Sequence, residues 1–332
     1  MSDASRSTGV PLEDVQARRP SSHVSLSRVG VTGVEKVVRI RANGDEQLFY
    51  AELECFVDLG PHQKGAHMSR FEETANEAID EVVLGEAFKA ETLASHIAER
   101  VRERQGAARA EVSIRARYPE YKPAPVSGAR TQEIYTMLGT AVASEAGTRR
   151  LIGVQAQGMT ACPCAQELVM ARASERLAAD GFTDDEIERV FEHVPVATHN
   201  QRGLGTLYVG CPEGCTESIE AMRLLAIVED SMSSEIYELM KRPDEVEVVE
   251  KAHRRPRFVE DCVREMIRMA VDEFRGFGEG AFVFARQENL ETIHQHNVVA
   301  EHYGLIGELD RELRSEEPAA THTTMRDWLH RP

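Results

Sequence analysis

The stretch "EKVVRIRANGDEQLFYAELECFVDL", residues 35–59, decides the fold class. Apolar and polar residues alternate on both sides of Ala42-Asn43-Gly44-Asp45, and Asn-Gly between two such runs is a strong hairpin signal. An antiparallel sheet starts here. Two helical patterns follow, at about 69–84 and 89–105. In "KAETLASHIAERVRERQG" Leu93, Ile97 and Val101 recur at helical spacing, and Gly106 ends the pattern. Alternation returns in "AEVSIRARYP" (110–119), with "TQEIYTMLGTAVAS" (131–144) as its expected partner.

The second half repeats this plan. "RRLIGVQAQGM" (149–159) reads as a strand, and helical segments fill about 164–178, 184–193 and 215–239. In "RFVEDCVREMIRMAVDEF" (257–274), Val259, Val263, Met266, Ile267, Ala270 and Phe274 form one apolar stripe. "GAFVFARQENLE" (280–291) then reads as a buried strand, with "HNVVAEHYG" (296–304) as its neighbour. Two strands, two helices and two strands, twice over, predict an α+β fold of two related modules. The expected division is a flexible arm at 1–24, modules at 25–148 and 149–310, and an extension at 311–332. The tail "SEEPAATHTTMRDWLHRP" reads as appended to the core.

A chain of 332 residues, 42% hydrophobic, can bury a core of this size. It lacks an apolar run near the roughly 20 residues that span a bilayer, and its polar N-terminus has no apolar signal region. A cytoplasmic protein is expected. Six cysteines in this length do not read as a disulfide framework. Cys55 and Cys262 fall in strand and helix patterns and read as core. The net charge of -17 disfavours nucleic acid and anionic membranes as partners. Abundant Asp and Glu with six Lys against 33 Arg is the pattern of proteins from salt-loving organisms, or of an acidic protein from a GC-rich genome.

The chemistry begins at "GMTACPCAQE", residues 158–167. Pro is favoured at the first helical position, so Pro163 places Cys162 near a helix N-cap. The positive end of a helix favours a thiolate, the form that binds metal or attacks. Two small buried thiols at a tight turn are the plainer reading of Cys162 and Cys164. Further islands are "KGAHMSRF" (64–71), "HNQR" (199–202), "RPDE" (242–245), "FVED" (258–261) and "ENLETIHQHN" (288–297). In an extended segment His294 and His296 would point to one side. Each island alone also reads as an ordinary loop, turn or helix start.

Together, in this order, the islands resemble the type IB GTP cyclohydrolases over roughly residues 25–305. The 34 residues (165–198) between "CPC" and "HNQR" are similar to the insertion of the archaeal branch, GTP cyclohydrolase IV. The acidic composition fits a haloarchaeal source. The resemblance implies the bimodular tunnelling fold, or T-fold, with antiparallel sheets and helices on one face. It implies a homo-oligomer, usually a tetramer, with active sites between subunits. It implies opening of the guanine ring of GTP at C8 with loss of formate, and in archaeal relatives the product 7,8-dihydroneopterin 2′,3′-cyclic phosphate; bacterial relatives retain the triphosphate.

By the same resemblance Cys162, His199 and Glu245 match the metal positions. They imply one divalent ion per subunit, Fe(II) first, with Zn or Mn as alternatives; thiolate, imidazole and carboxylate suit all three. Cys162 and His294 match the catalytic positions, His294 as acid and base. Glu260 matches the carboxylate that accepts from the guanine N1–H and 2-amino group, and Glu291 and Gln201 share the substrate islands. Lys64, His67, Arg70 and Arg202 are the candidate triphosphate cations. Cys211 and Cys215 lie outside the family motifs; a second metal or two incidental thiols would both account for them. Two other readings stay open. A T-fold nitrile reductase would use Cys162 as nucleophile, although no NADPH motif is visible, and a non-catalytic metal- or purine-binding protein would keep the site without turnover.

Overall fold

The hairpin forms as the alternation requires. Strands β1 (Leu26–Ala42) and β2 (Asp45–Leu59) pair antiparallel, with Ala42 opposite Asp45. The computed structural model describes residues 14–42, 45–82, 89–212, 219–315 and 321–330, so the expected Asn43-Gly44 turn lies outside the described residues. Helices α1 (Met68–Val82) and α2 (Ala90–Gln105) follow. Leu93, Ile97 and Val101 are fully buried, and Gly106 caps α2 at φ 63°, a left-handed conformation that suits glycine. Strands β3 (Ala110–Pro123), β4 (Arg130–Ser144) and β5 (Gly147–Ala161) continue the sheet.

A helical hairpin, α3 (Pro163–Ala179) and α4 (Asp184–His193), interrupts the sheet before β6 (Asn200–Gly210). No residue of α3 is fully buried, so this pair stands off the core. Next come α5 (Ala221–Ser231), the short β7 (Ser234–Glu235), α6 (Arg242–Arg254) and α7 (Val259–Phe274). Strands β8 (Phe282–Leu290) and β9 (Val298–Leu305) and helices α8 (Ile306–Ser315) and α9 (Met325–Leu329) complete the chain. Every pairing is antiparallel, in the order β1-β2-β3-β4-β5-β6-β8-β9, with β7 beside β5. This is the expected α+β arrangement of the tunnelling fold.

Side chains alternate across each strand, and the two faces have different covers. Val112, Ile114, Ala141 and Ala143 pack under α1 and α2. Ile152, Val154, Leu207, Val209, Val283 and Ala285 pack under α5 and α7, whose predicted stripe is buried throughout. Val142, Leu151 and Phe282 belong to the opposite face, where they meet Trp328 of α9. Cys55 and Cys262 are core residues, and burial pushes both thiols up to about 12.

Four expectations change. The helix expected over 215–239 is α5 alone among the described residues. The Ser231 hydroxyl donates to Val228 O, and the Ser233 hydroxyl accepts from the Ala161 N–H. Serine bonding to backbone competes with helix continuation and lets β7 join β5. "RPDE" opens a 13-residue helix, α6, outside the helical segments expected from the pattern. Within the arm expected to be flexible, the carbonyls of Gln16 and Arg18 accept from the Lys64 N–H, which docks residues 14–18 on the 63–67 segment. Finally, the tail is not an appendage. Trp328 is fully buried, its Nε1–H donates to Gly280 O at 3.0 Å, and a Cβ on Gly210 would fall 2.6 Å from its ring.

Candidate active site

The pairing of β5 with β6 assembles the site. Ala161 faces Asn200 and Thr160 faces Gln201, so Cys162 and His199 leave the sheet together. The Cys162 N–H donates to His199 O at 3.1 Å, and the Thr198 hydroxyl donates to Cys162 O at 2.9 Å. Cys162 is the N-cap of α3 and Pro163 its first residue, so the positive end of the helix lies at the thiol. The long insertion runs out along α3, returns along α4, and leaves the pair intact. Pairing of β6 with β8 sets Arg202 opposite Leu290, which puts Gln201 near Glu291. The Arg257 N–H donates to Ala161 O at 2.9 Å and ties the start of α7 to the same point.

These elements enclose a cavity of about 250 Å³ lined by Cys162, His199, Gln201, Glu260, Glu291 and His294, together with Arg257, Phe258, Asn289 and His296. The His199 and His294 rings meet edge to face at 6.4 Å, and His294 stacks on His296 at 5.2 Å. Their segment is a series of bends between β8 and β9 rather than extended chain, yet the two rings keep to one side.

Three polar atoms here are buried without a hydrogen-bond partner: His199 Nδ1, Gln201 Oε1 and Glu291 Oε2. His199 Nδ1 lies 3.8 Å from Glu291 Oε2, too far for a hydrogen bond. An unpaired buried polar atom costs about 1–3 kcal/mol, so three at one cavity are a reservoir of unmet bonding capacity. The free thiol of Cys162 lines the same cavity, and thiolate with imidazole is a donor pair that suits a divalent cation.

The other sequence-read residues lie elsewhere. Glu245 is exposed in the first turn of α6 and is not among the residues lining the cavity. Its neighbour Asp244 is the buried one, accepting from the backbone N–H groups of Val126, Ser127 and Lys241 and from the Ser127 hydroxyl. Burial would raise the Asp244 carboxyl, but these donors hold it well below the ordinary carboxylate range. Arg202 is exposed, since strand alternation turns it away from Gln201. Lys64 is exposed, His67 Nε2 lies 3.2 Å from Asp14 Oδ2, and the Arg70 guanidinium donates to Arg104 O at 2.9 Å. His67 and Arg70 line a second cavity, of about 530 Å³, which contains none of the Cys162 site residues. Within one chain the basic island and the thiol site are therefore separate. Cys211 is disulfide-bonded, and Cys215 lies outside the described residues.

Arg257 was not legible as a site residue. It lines the thiol cavity, its guanidinium donates to Ser231 O at 2.6 Å, and burial holds it below the usual guanidinium range. The run "RRPRF" (254–258), three arginines ahead of a helix start, was the available signal. Among the described residues, the one group of three donors close enough together for an ion is His302, Glu312 and His322, none of them in the expected ligand set.

Residues 12–300 match the family described as type I GTP cyclohydrolase folE2. The GTP cyclohydrolase MptA of Methanococcus aeolicus is 40% identical over 308 residues, covering 91% of this chain and 99% of that protein. MptA of Methanocaldococcus jannaschii is 40% identical over 310 residues, covering 92% and 98%. Among solved structures, the uricase of Arthrobacter globiformis is similar with a TM-score of 0.48 at 8% identity, covering 89% of this chain and 96% of that one. On the span of the family match and on identities of 40% along nearly the whole length of these relatives, the chain is an enzyme of the type I GTP cyclohydrolase family.

Proposed function

We propose that this chain is a metal-dependent GTP cyclohydrolase that converts GTP to 7,8-dihydroneopterin 2′,3′-cyclic phosphate, formate and diphosphate, the first step of methanopterin- or folate-type pterin synthesis. The observation that carries the reading is the group of unpaired buried atoms on His199, Gln201 and Glu291 around the Cys162 cavity. Cys162 and His199 are the proposed metal donors at this cavity, for Fe(II) first and Zn or Mn otherwise; Glu245, the third donor by family resemblance, does not line the cavity here and would have to move toward it. When bound, such an ion supplies Lewis acidity that makes water reactive near neutral pH. Glu260, at the first turn of α7, accepts from the guanine N1–H and 2-amino group, two parallel bonds that fix the ring. His294 moves protons to and from the purine, a task suited to imidazole. Glu291 orients His199, and Gln201 supplies a side-chain amide to the substrate.

Lys64, His67, Arg70 and Arg202 are the proposed triphosphate cations. Their separation from the thiol cavity in one chain fits a homo-oligomer, a tetramer by family resemblance, in which one copy's basic island meets another copy's cavity. The chain is proposed to divide into modules at 25–148 and 149–310. Anaerobic incubation with GTP and defined metals, followed by mass analysis of the pterin, tests the reaction. A cyclic phosphate product is expected; a triphosphate product would move the chain to the bacterial outcome, and unconverted GTP with every metal would overturn the reading.

A further inference from the structure

Outside the thiol cavity, two imidazoles from separate elements converge on one carboxylate oxygen supplied by a third element. His302 lies in β9, Glu312 in α8, and His322 in the segment just before α9. Glu312 Oε2 lies 3.1 Å from His302 Nε2 and 3.0 Å from His322 Nε2. The two imidazoles stand edge to face at 4.7 Å.

We propose that His302, Glu312 and His322 form a second divalent-metal site, of the borderline class that Zn(II) represents, which fastens the C-terminal segment to β9 and α8. The donor set is two imidazoles and one carboxylate, a combination that Zn(II) takes with a fourth position left to water. Zn–N and Zn–O bonds of about 2.0–2.1 Å place tetrahedral ligand atoms roughly 3.3 Å apart. The observed 3.0 and 3.1 Å separations lie close to that edge, and all three donor atoms lie within 4.8 Å of one another. A cavity of about 380 Å³ adjoins His302 and Glu312 and is lined also by Glu260, Arg264 and Glu301.

The ligands are held in advance. The Thr323 N–H and hydroxyl both donate to the Glu308 carboxylate, which fixes the residue after His322. Trp328, fully buried a few residues on, anchors the same segment from the far side. The site shares no residue with the proposed Cys162 donors and does not rest on the reading of that cavity.

The test uses the full chain, stripped with chelator, reloaded with Zn(II), desalted, and assayed for metal by mass spectrometry. Wild type, His322→Ala and Glu312→Gln are compared, each also in a Cys162→Ala background that removes the cavity thiolate. Circular dichroism checks that each variant is folded, and His302→Ala, a change within the sheet, is kept as confirmation. His322→Ala and Glu312→Gln are expected to lose about one equivalent of Zn per chain in both backgrounds. Zn should raise the Tm of Cys162→Ala but leave Cys162→Ala/His322→Ala unmoved. In the Cys162→Ala background, Co(II) should give a visible spectrum without a thiolate charge-transfer band, lost on adding His322→Ala. Unchanged Zn content in folded His322→Ala and Glu312→Gln overturns the site, as does a Cys162→Ala protein that retains no Zn. In either case the trio is a hydrogen-bonded latch only.

Discussion

Glu291→Gln separates a positioning role from a merely structural one, because the two states of the protein should respond in opposite directions. The Glu291 side chain is 6% exposed, and its Oε2 faces His199 Nδ1 at 3.8 Å with neither atom paired. A shift of less than about 1 Å would make that contact a hydrogen bond. When an imidazole ligates a metal through one nitrogen, its other N–H commonly donates to a carboxylate, which fixes the ring and raises its basicity. Gln keeps the shape of Glu but lacks the charge, so it accepts more weakly.

In the metal-free protein the substitution removes a formal charge from a buried oxygen that has no donor. The relief should be about 1–2 kcal/mol. Unfolding entropy for 332 residues is about 0.7 kcal/mol per kelvin, so the metal-free Tm should rise by roughly 2 °C. In the metal-bound protein the same change should cost about 10–100-fold in affinity, or about 1.4–2.7 kcal/mol. Scanning calorimetry with chelator measures the first quantity, and titration calorimetry with Mn or Zn in the His322→Ala background measures the second. Unchanged metal affinity would refute the orienting role. A metal-free Tm lowered by more than about 2 °C would refute the claim that the carboxylate is strained where it sits.

Four further outcomes are expected. Cys162→Ala should abolish turnover together with metal retention at the cavity, and an active variant with that metal intact would sink the ligand assignment. Glu260→Gln should weaken GTP binding at least about tenfold, because one acceptor oxygen becomes a donor facing the guanine N–H groups; an unchanged Kd removes the anchor role. Trp328→Ala should cost about 3–5 kcal/mol, a Tm drop of roughly 4–7 °C, and a drop under about 1 °C would mean the tail is dispensable after all. The last concerns acid. Asp244 has its folded pKa depressed, so its contribution is present above the unfolded value near 3.9 and is lost as pH falls below that toward the folded value. Asp244→Asn should therefore flatten the fall in denaturant midpoint below about pH 4, and identical acid limbs in the two proteins would contradict this.

The parts of this fold that were legible are those whose cause is local. The β1–β2 hairpin follows from alternation around Asn43-Gly44, and the α7 stripe from helical spacing. Gly106 could be read as a helix end because one residue's backbone freedom decides it. Trp328 could not be placed from its neighbours. The tail around it is polar, and the surface it fits belongs to Val142, Leu151, Gly210 and Phe282, on four different strands. Ser231 and Ser233 were equally opaque, since their effect on α5 depends on which carbonyls and N–H groups the fold brings within reach.

The site divides along the same line. Family resemblance could name Cys162, His199, Glu260, Glu291 and His294 together, but it takes the β5–β6 and β6–β8 registers, and the Arg257 N–H bond to Ala161 O at the start of α7, to bring residues so distant in sequence to one cavity. In "RPDE" two adjacent carboxylates are indistinguishable by composition, and a helix turn buries Asp244 while exposing Glu245. The basic island reads as phosphate-binding from its charges, yet nothing local states which chain's phosphate it would meet. The unpaired atoms carry the most weight and are the least visible in advance. That Glu291 lies opposite His199 without bonding it is a matter of tenths of an ångström, set by the packing of three strands and a loop. A sequence specifies that gap only through the whole fold, which is why the strongest sign of a ligand here is a hydrogen bond the protein does not make with itself.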